Sequence, residues 1–99
     1  MVLRTMTKKD LIRNVQDRLY DVPAKDITFA VNVIFNAMKE ALKRDERIDV
    51  RGFGNFTVRL RAARIARNPK SGSRVALEER RTPFFKAGRD LQKRINAPE

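Results

Sequence analysis

The residues of this chain with the clearest chemical potential are arginines and lysines concentrated between Arg59 and Arg74. This segment holds six basic residues and no acidic one. Because uncompensated cations repel one another, they gain little by packing on their own protein. A polyanion would neutralise them and release its condensed counterions. The segment therefore predicts a binding arm, with a solvated, flexible basic loop as the alternative. Its basic residues are Arg59, Arg61, Arg64, Arg67, Lys70 and Arg74.

A turn signal interrupts the basic segment near its middle, at Asn68-Pro69-Lys70-Ser71-Gly72. Asparagine, proline and glycine each favour turns, so the chain is expected to reverse here. An exposed proline at such a tip would offer a small apolar wedge, which could enter a stack of bases. The pattern thus combines cations that could hold a polyanion with an apolar group that could distort it.

Catalysis is poorly supported by the remaining residues. The chain has no histidine and no cysteine, so the usual neutral-pH base, the thiolate nucleophile and the soft metal ligands are absent. Asp45-Glu46 and Glu78-Glu79 are the only adjacent acidic pairs. Chain neighbours point apart on a strand or helix, so neither pair makes an acid/base dyad. We expect no enzyme, no metal, no cofactor and no small-molecule substrate.

The overall charge favours the same class of partner. The net charge is +11, and the basic segment holds six of the 23 basic residues but none of the 12 acidic ones. A concentrated basic stripe is typical of nucleic-acid binders, although proteins that bind acidic lipids or acidic proteins share it. No apolar run approaches the length of a membrane span. Because cysteine is absent, we expect a reducing compartment, the cytoplasm.

Hydrophobic spacing predicts two N-terminal helices. Thr7 is a candidate N-cap that Asp10 can reach back to, and a first helix is expected from about Lys8 to Tyr20. A second helix is expected over roughly Pro23 to Arg44, with proline at its first position. This helix is apolar over more than one face, which predicts a subunit interface because so short a chain has a small core. A wide stripe packed inside a monomer is the alternative.

The second half of the chain alternates with period two, which predicts strands. Strands are expected around residues 48–51 and 56–61, the second leading directly into the arm, and a return leg at 74–78. A tight turn is expected at 52–54, an interruption at 80–83 and a short last helix over about 86–96. The fold class is α+β: two helices, a three-stranded antiparallel sheet with a long protruding β-hairpin arm (about 59–75), and a C-terminal helix.

Three motifs resemble those of the bacterial HU and integration host factor family. They are Gly52-Phe53-Gly54-Asn55-Phe56, the stretch from Arg61 through Arg67-Asn68-Pro69-Lys70-Ser71-Gly72, and Thr82-Pro83-Phe84-Phe85-Lys86-Ala87-Gly88-Arg89. The resemblance covers about residues 7–95, so residues 7–99 form one domain and 1–6 a flexible N-terminal extension. Val22-Pro23-Ala24-Lys25 and Arg47–Gly52 look most like the beta-subunit type of integration host factor.

The resemblance implies an intertwined dimer whose two arms embrace double-stranded DNA through the minor groove. It implies that Pro69 intercalates between base pairs, and that Arg51, near Asp49, is a sheet arginine reaching the minor groove. The implied arm contacts are Arg59, Arg61, Arg64, Arg67, Asn68, Lys70, Ser71, Gly72 and Arg74. The implied phosphate clamps are Thr7, Lys8, Lys9, Lys25, Gly52, Phe53, Gly54, Lys86, Gly88 and Arg89.

The function implied is that of an architectural protein of the bacterial nucleoid, which bends DNA and takes part in compaction, transcription regulation and recombination. An HU-like packer without sequence preference is one alternative. An RNA-binding module and a protein that docks an acidic partner are the others. The second subunit is either identical or a related paralogue, and the sequence leaves this choice open.

Overall fold

The computed structural model describes residues 3–98, and these divide between Lys39 and Glu40 into two compact units. Leu3 to Met6 belong to no helix or strand; Met1 and Val2, which also fall in the predicted extension, lie outside the described residues. The elements are α1 (Lys8–Arg18), α2 (Ala24–Lys43), β1 (Ile48–Val50), β2 (Gly54–Arg61), β3 (Arg64–Arg67), β4 (Arg74–Leu77), β5 (Arg80–Ala87) and α3 (Arg89–Ile95).

Helix α1 begins at the predicted capping box. The Asp10 backbone N–H donates to the Thr7 hydroxyl at 3.2 Å, and the Thr7 backbone N–H donates to the Asp10 carboxylate at 3.0 Å. The helix ends at Arg18 rather than near Tyr20, because Leu19 turns out of the helical region at φ −119° and ψ 57°. Helix α2 begins one residue later than predicted: the Pro23 carbonyl accepts bonds from Asp26 and Ile27, so Pro23 precedes the first helical residue.

The core of the first unit is small. Ile12 of α1 is buried with Ile27 and Val31 of α2, and Val15 and Phe35 pack against them. The wide apolar surface predicted for α2 is present, but part of it faces outward. Phe29 is 71% exposed and Ile34 is 58% exposed. A large part of this helix's apolar surface is therefore exposed rather than buried in the small core of the unit.

Helix α2 ends in a Schellman motif built around a residue other than glycine. The Glu46 N–H donates to the Ala41 carbonyl at 2.9 Å, and the Asp45 N–H donates to the Leu42 carbonyl at 3.0 Å. Asp45 occupies the left-handed position with φ 61°. Arg81 of β5 binds the Asp45 carboxylate, which joins the helix end to the sheet within the second unit.

The main sheet has the predicted three antiparallel strands, in the order β1-β2-β5. The β2–β5 ladder runs without a break from Gly54↔Ala87 to Arg61↔Arg80. The interruption predicted at residues 80–83 is therefore wrong, because these residues belong to β5. Pro83 is tolerated since β5 is an edge strand, where a missing N–H leaves no ladder bond unmade.

The last helix starts later than expected. Lys86 pairs with Asn55 in the sheet, so it is a strand residue and not the first residue of the helix. Gly88 occupies the N-cap position in an extended conformation, and α3 begins at Arg89. The β2–β5 pairing, which is not local in sequence, decides this boundary.

The arm is a separate two-stranded hairpin, β3–β4, paired from Arg64↔Leu77 to Arg67↔Arg74. Two rungs are missing between it and the main sheet, at residues 62–63 on one leg and 78–79 on the other. The last pair of the main sheet is Arg61↔Arg80, and the first pair of the hairpin is Arg64↔Leu77. Each leg advances by three residues between these pairs, so the two ladders share one register and neither leg carries an inserted residue. Of the predicted arm residues, Arg59 and Arg61 lie in β2 rather than in the hairpin.

Candidate nucleic-acid interface

Strands β2 and β5 give the main sheet two chemically different faces. Side chains alternate along a strand, and directly opposed residues share a face. One face, the cationic face, holds four cations, and Asp49 of β1 is the one carboxylate that the sheet pairing places on it. The opposite face is apolar apart from Arg81. The cationic face consists of Asn55, Thr57, Arg59, Arg61, Arg80, Thr82, Phe84 and Lys86 on β2 and β5.

The side chain of Arg59 lies down on this surface. Its guanidinium carbon is 3.4 Å from the centroid of the Phe84 ring, which belongs to the same face. A cation over an aromatic ring is attracted by the ring's negative face. Arg59 therefore lies against the Phe84 ring, on the same face of the sheet as Arg61.

Like charges are paired across strands both in the main sheet and in the hairpin. Arg61 faces Arg80 in the main sheet, and Arg67 faces Arg74 in the hairpin. Directly opposed residues have their Cβ atoms roughly 4.5–5.5 Å apart, and like charges at that separation are destabilising. The ion pairs found among the described residues, Arg44–Glu46, Arg81–Asp45 and Arg94–Asp90, do not involve these four arginines. The arrangement costs the free protein stability and would be relieved by an anion.

The tip of the hairpin is an ordered turn. The Asn68 N–H donates to the Ser73 carbonyl at 2.8 Å, and the Gly72 N–H donates to the Asn68 carbonyl at 2.7 Å. The Asn68 side-chain oxygen accepts from the Lys70 N–H at 2.9 Å, closing an Asx turn that encloses Pro69. Pro69 is exposed at the end of the hairpin, as the sequence predicts.

The closing side of the tip is held by hydroxyls and by glycine. The hydroxyls of Ser71 and Ser73 are 2.7 Å apart, and the Ser73 N–H also bonds the Ser71 hydroxyl at 3.3 Å. Gly72 has φ 73°, a conformation that L residues rarely adopt. Both sides of the turn therefore restrict the backbone that carries Pro69.

A second group of predicted site residues meets where β1 turns into β2. The Phe53 N–H donates to the Val50 carbonyl at 2.9 Å, so the predicted tight turn spans residues 50–53, and Gly54 is already the first residue of β2. The Gly88 N–H donates to the Phe53 carbonyl at 2.8 Å. This bond brings the turn next to the start of α3. Gly52, Phe53, Gly54, Lys86, Gly88 and Arg89 are thus close neighbours.

Gly54 fits this junction because it lacks a side chain. A Cβ there would lie 2.5 Å from the Lys86 carbonyl oxygen and 2.7 Å from the Phe85 ring. Phe85 in turn contacts Phe56 and Phe53, with ring centroids 4.7 Å and 5.4 Å away. The aromatic cluster and the close strand approach hold the turn in place.

Arg51 lies in the turn that follows β1, and its side chain is exposed. It was expected on the sheet. Strand β1 ends at Val50 because the chain must reverse before β2. Asp49, by contrast, is a strand residue paired with Asn55.

The remaining predicted clamps belong to the first unit. Lys8 and Lys9 open α1, and Lys25 lies in the first turn of α2; all three are exposed. The Lys8 ammonium donates to the Asn32 side-chain oxygen at 2.8 Å, which ties α1 to α2. The Thr7 backbone N–H and hydroxyl both donate to the Asp10 carboxylate. These hydrogen bonds lower the pKa of the Asp10 carboxyl.

No group of three acidic, histidine or cysteine side chains in residues 3–98 could hold a metal ion. None of the helices described is long and apolar enough to cross a bilayer.

Sequence reasoning missed two neighbouring arginines by assigning them to an interruption. Arg80 lies on the cationic face opposite Arg61, and Arg81 lies on the other face and binds Asp45. The partners are 19 and 36 residues away in the chain, so no local spacing identifies them. Ser73, which closes the tip, was also missed, although serine near a turn is a recognisable signal.

Comparison with known proteins identifies a family and a fold. The sequence model of a family described as bacterial DNA-binding protein matches residues 6–96. The chain is 46% identical over 91 residues to integration host factor subunit beta of Dechloromonas aromatica, covering 92% of this chain and 97% of that protein. It has the same identity and coverages with integration host factor subunit beta of Histophilus somni.

A solved structure described as an Anabaena HU–DNA cocrystal is similar in fold. Its TM-score is 0.82 at 28% sequence identity, and the match covers 94% of this chain and 100% of that one. The predicted family resemblance and the predicted fold class are thereby confirmed.

Proposed function

Since the chain belongs to the family of bacterial DNA-binding proteins represented by HU and integration host factor, we propose that it is an architectural protein that binds and bends duplex DNA. The single observation that carries this proposal is the hairpin. Its legs bear opposed arginines without ion-pair partners among the described residues, and its tip presents an exposed proline on an ordered turn.

Affinity comes mainly from the phosphates. Arginines lie on the cationic face and on both legs of the hairpin, whose ladders share one register. We expect them to contact successive phosphates of the DNA backbone. Each neutralised phosphate releases counterions, so binding is expected to weaken steeply as salt rises. The glycine turn at residues 52–54, with Lys86, Gly88 and Arg89 beside it, is proposed as a further phosphate contact, together with Lys8, Lys9 and Lys25.

Bending is assigned to Pro69. An apolar wedge at a base step unstacks it at a cost of a few kcal/mol, and the bent duplex offsets that cost by contacting more protein surface. Holding and bending therefore belong to different residues of one hairpin. Minor-groove edges barely distinguish A·T from T·A, so sequence preference is expected to arise from groove width and step flexibility.

The uncovered face of α2 supports pairing with a second chain of the same fold. Phe29 and Ile34 are more than half exposed, and Ile12, Ile27 and Val31 are the buried apolar residues of the part described. So small a core is normally supplemented by oligomerisation. The second chain is either identical or a related paralogue, and sedimentation of the purified chain alone distinguishes these two cases. A dimer indicates self-pairing, and a monomer that dimerises when a paralogue is added indicates a heterodimer.

Pro69→Ala tests the function directly. We expect fluorescence energy transfer between dyes on the two duplex ends to fall strongly, while affinity falls less, because the phosphate contacts remain. Arg64→Ala is the matched control on the hairpin leg, and there affinity should fall more than the bend. Equal loss of both by Pro69→Ala would overturn the assignment of the wedge. Absence of any salt-sensitive binding to duplex DNA would overturn the function itself.

The similarity to integration host factor beta subunits favours sequence-selective bending in the nucleoid, with roles in compaction, transcription regulation and recombination. The similarity to HU structures favours a second candidate, packing of DNA without sequence preference. Affinities for a random duplex and for a site selected from a random pool, measured at one salt concentration, distinguish them. A ratio of about 10³ or more would indicate selective binding.

A further inference from the structure

Arg80 is the cation of the cationic face that neither the motifs nor the basic segment singled out. It is exposed and lies directly opposite Arg61 at the last rung of the β2–β5 ladder. Among residues 3–98, neither arginine makes an ion pair with a carboxylate or a side-chain hydrogen bond. Two opposed cations at one rung repel each other, so this rung is unfavourable in the free protein.

The next residue along the strand shows what an arginine does here when it has a structural partner. Arg81 points to the opposite face of the sheet, donates to the Asp45 carboxylate at 2.6 Å and donates to the Lys43 carbonyl at 2.9 Å. Arg80 makes no bond of this kind within the described part of the chain. A structural role therefore explains Arg81 and leaves Arg80 unexplained.

The surroundings of Arg80 are open and positively charged. Where the two rungs are missing, the sheet borders a cleft of about 740 Å³ whose lining includes Arg61, Arg64 and Arg80. Glu78 is the acidic residue in that lining, and it forms no ion pair within 4.0 Å with any of the three. The base of the hairpin is thus an exposed site whose lining holds three arginines and one glutamate.

We propose that Arg80 and Arg61 together bind a backbone phosphate of duplex DNA at the base of the hairpin. This inference rests on the proposed function, since it adds a contact to the same surface. Guanidinium groups offer several donors in a fixed geometry that suits phosphate oxygens. The anion also removes the repulsion within the rung, so the gain on binding includes relief of an unfavourable interaction in the free protein.

The test compares two neighbouring substitutions in the full chain. Arg80→Ala is expected to flatten the slope of log affinity against log salt by about 0.9 for each phosphate that the variant no longer neutralises. Because it removes cross-strand repulsion, the same change should leave the thermal midpoint of the free protein unchanged or raise it. Arg81→Ala should do the reverse, lowering the midpoint and leaving the salt slope in place.

Arg80→Lys completes the design, because it keeps the charge and should retain the salt slope. The inference is overturned if Arg80→Ala leaves the slope unchanged while the wild-type chain binds duplex DNA with a steep slope. It is equally overturned if Arg80→Ala lowers the thermal midpoint as much as Arg81→Ala does. A wild-type chain that binds no duplex would instead overturn the proposed function.

Discussion

Arg81 links strand β5 to the end of helix α2 by an ion pair with Asp45. Its guanidinium donates to one carboxylate oxygen of Asp45 at 2.6 Å and 3.1 Å, and to the carbonyl oxygens of Leu42 and Lys43 at 3.2 Å and 2.9 Å. These carbonyls end the helix and carry its partial negative charge. The same interaction holds Asp45 in a left-handed conformation that a residue other than glycine seldom adopts.

Arg81→Ala is therefore expected to destabilise the protein. The side chains are about half exposed, so the loss should be modest, about 1–2 kcal/mol for the charged hydrogen bonds together. Urea unfolding at one fixed protein concentration measures it. In a double-mutant cycle, Asp45→Asn should cost little once Arg81 has been replaced; additive losses would mean that the two residues do not act through each other.

Gly54→Ala should separate strands β2 and β5. A methyl group at this position would lie 2.5 Å from the Lys86 carbonyl oxygen, which is backbone and cannot rotate away. We expect a loss of about 2–3 kcal/mol or a rearranged strand pair, measured by urea unfolding.

Gly52→Ala is the matched control. Its φ of 82° makes alanine unfavourable, but no atom lies within 4 Å of the new Cβ. The expected cost is about 1–2 kcal/mol from backbone conformation alone. If the two variants were equally stable, the close approach of the Lys86 carbonyl to Gly54 would not be what makes a side chain unfavourable there.

Asn68→Ala should loosen the tip that carries Pro69. It removes the side-chain oxygen that accepts from the Lys70 N–H, so this amide is expected to exchange with solvent faster. Bending, measured by energy transfer across the duplex, should fall while the salt slope of binding is unchanged, since no cation is removed.

Asn68→Asp tests whether the hydrogen bond of the turn or the amide group itself is needed, because an aspartate side chain can accept the same bond from the Lys70 N–H. Slow exchange at Lys70 should return, whereas affinity should drop because a negative charge is placed near the phosphates. Unchanged exchange and bending in Asn68→Ala would mean that the Asx turn does not position the proline.

The capping box of α1 should make stability depend on acid pH. Hydrogen bonds from the Thr7 backbone and hydroxyl lower the folded-state pKa of Asp10 below its usual 3.8. A carboxyl with a depressed folded pKa contributes stability above the unfolded value, and this contribution is lost as pH falls through the folded value. Thermal midpoints should therefore decrease between about pH 5 and pH 2 by more in the wild type than in Asp10→Asn. Parallel curves would exclude a role for this cap.

Local signals predicted much of the fold. The Thr7 cap, the long helix, the period-two strands and the turn at Pro69 follow from side-chain geometry within a few residues. Errors arose where a distant partner decided the outcome. Residues 80–83 look like a break because of Arg80, Arg81 and Pro83, yet pairing with β2 makes them a strand, and the same pairing takes Lys86 out of the last helix.

The candidate site divides in the same way. Charge density and the proline turn identify the hairpin and its class of partner from the sequence alone, because they depend on residue types that stand close together. Which arginines are free to bind a polyanion depends on strand register and face. Arg80 and Arg81 are adjacent and identical in chemistry, but one faces Arg61 and the other binds Asp45. Only the tertiary structure decided between them, because alternation places chain neighbours on opposite sides of a sheet and the partners lie far along the chain.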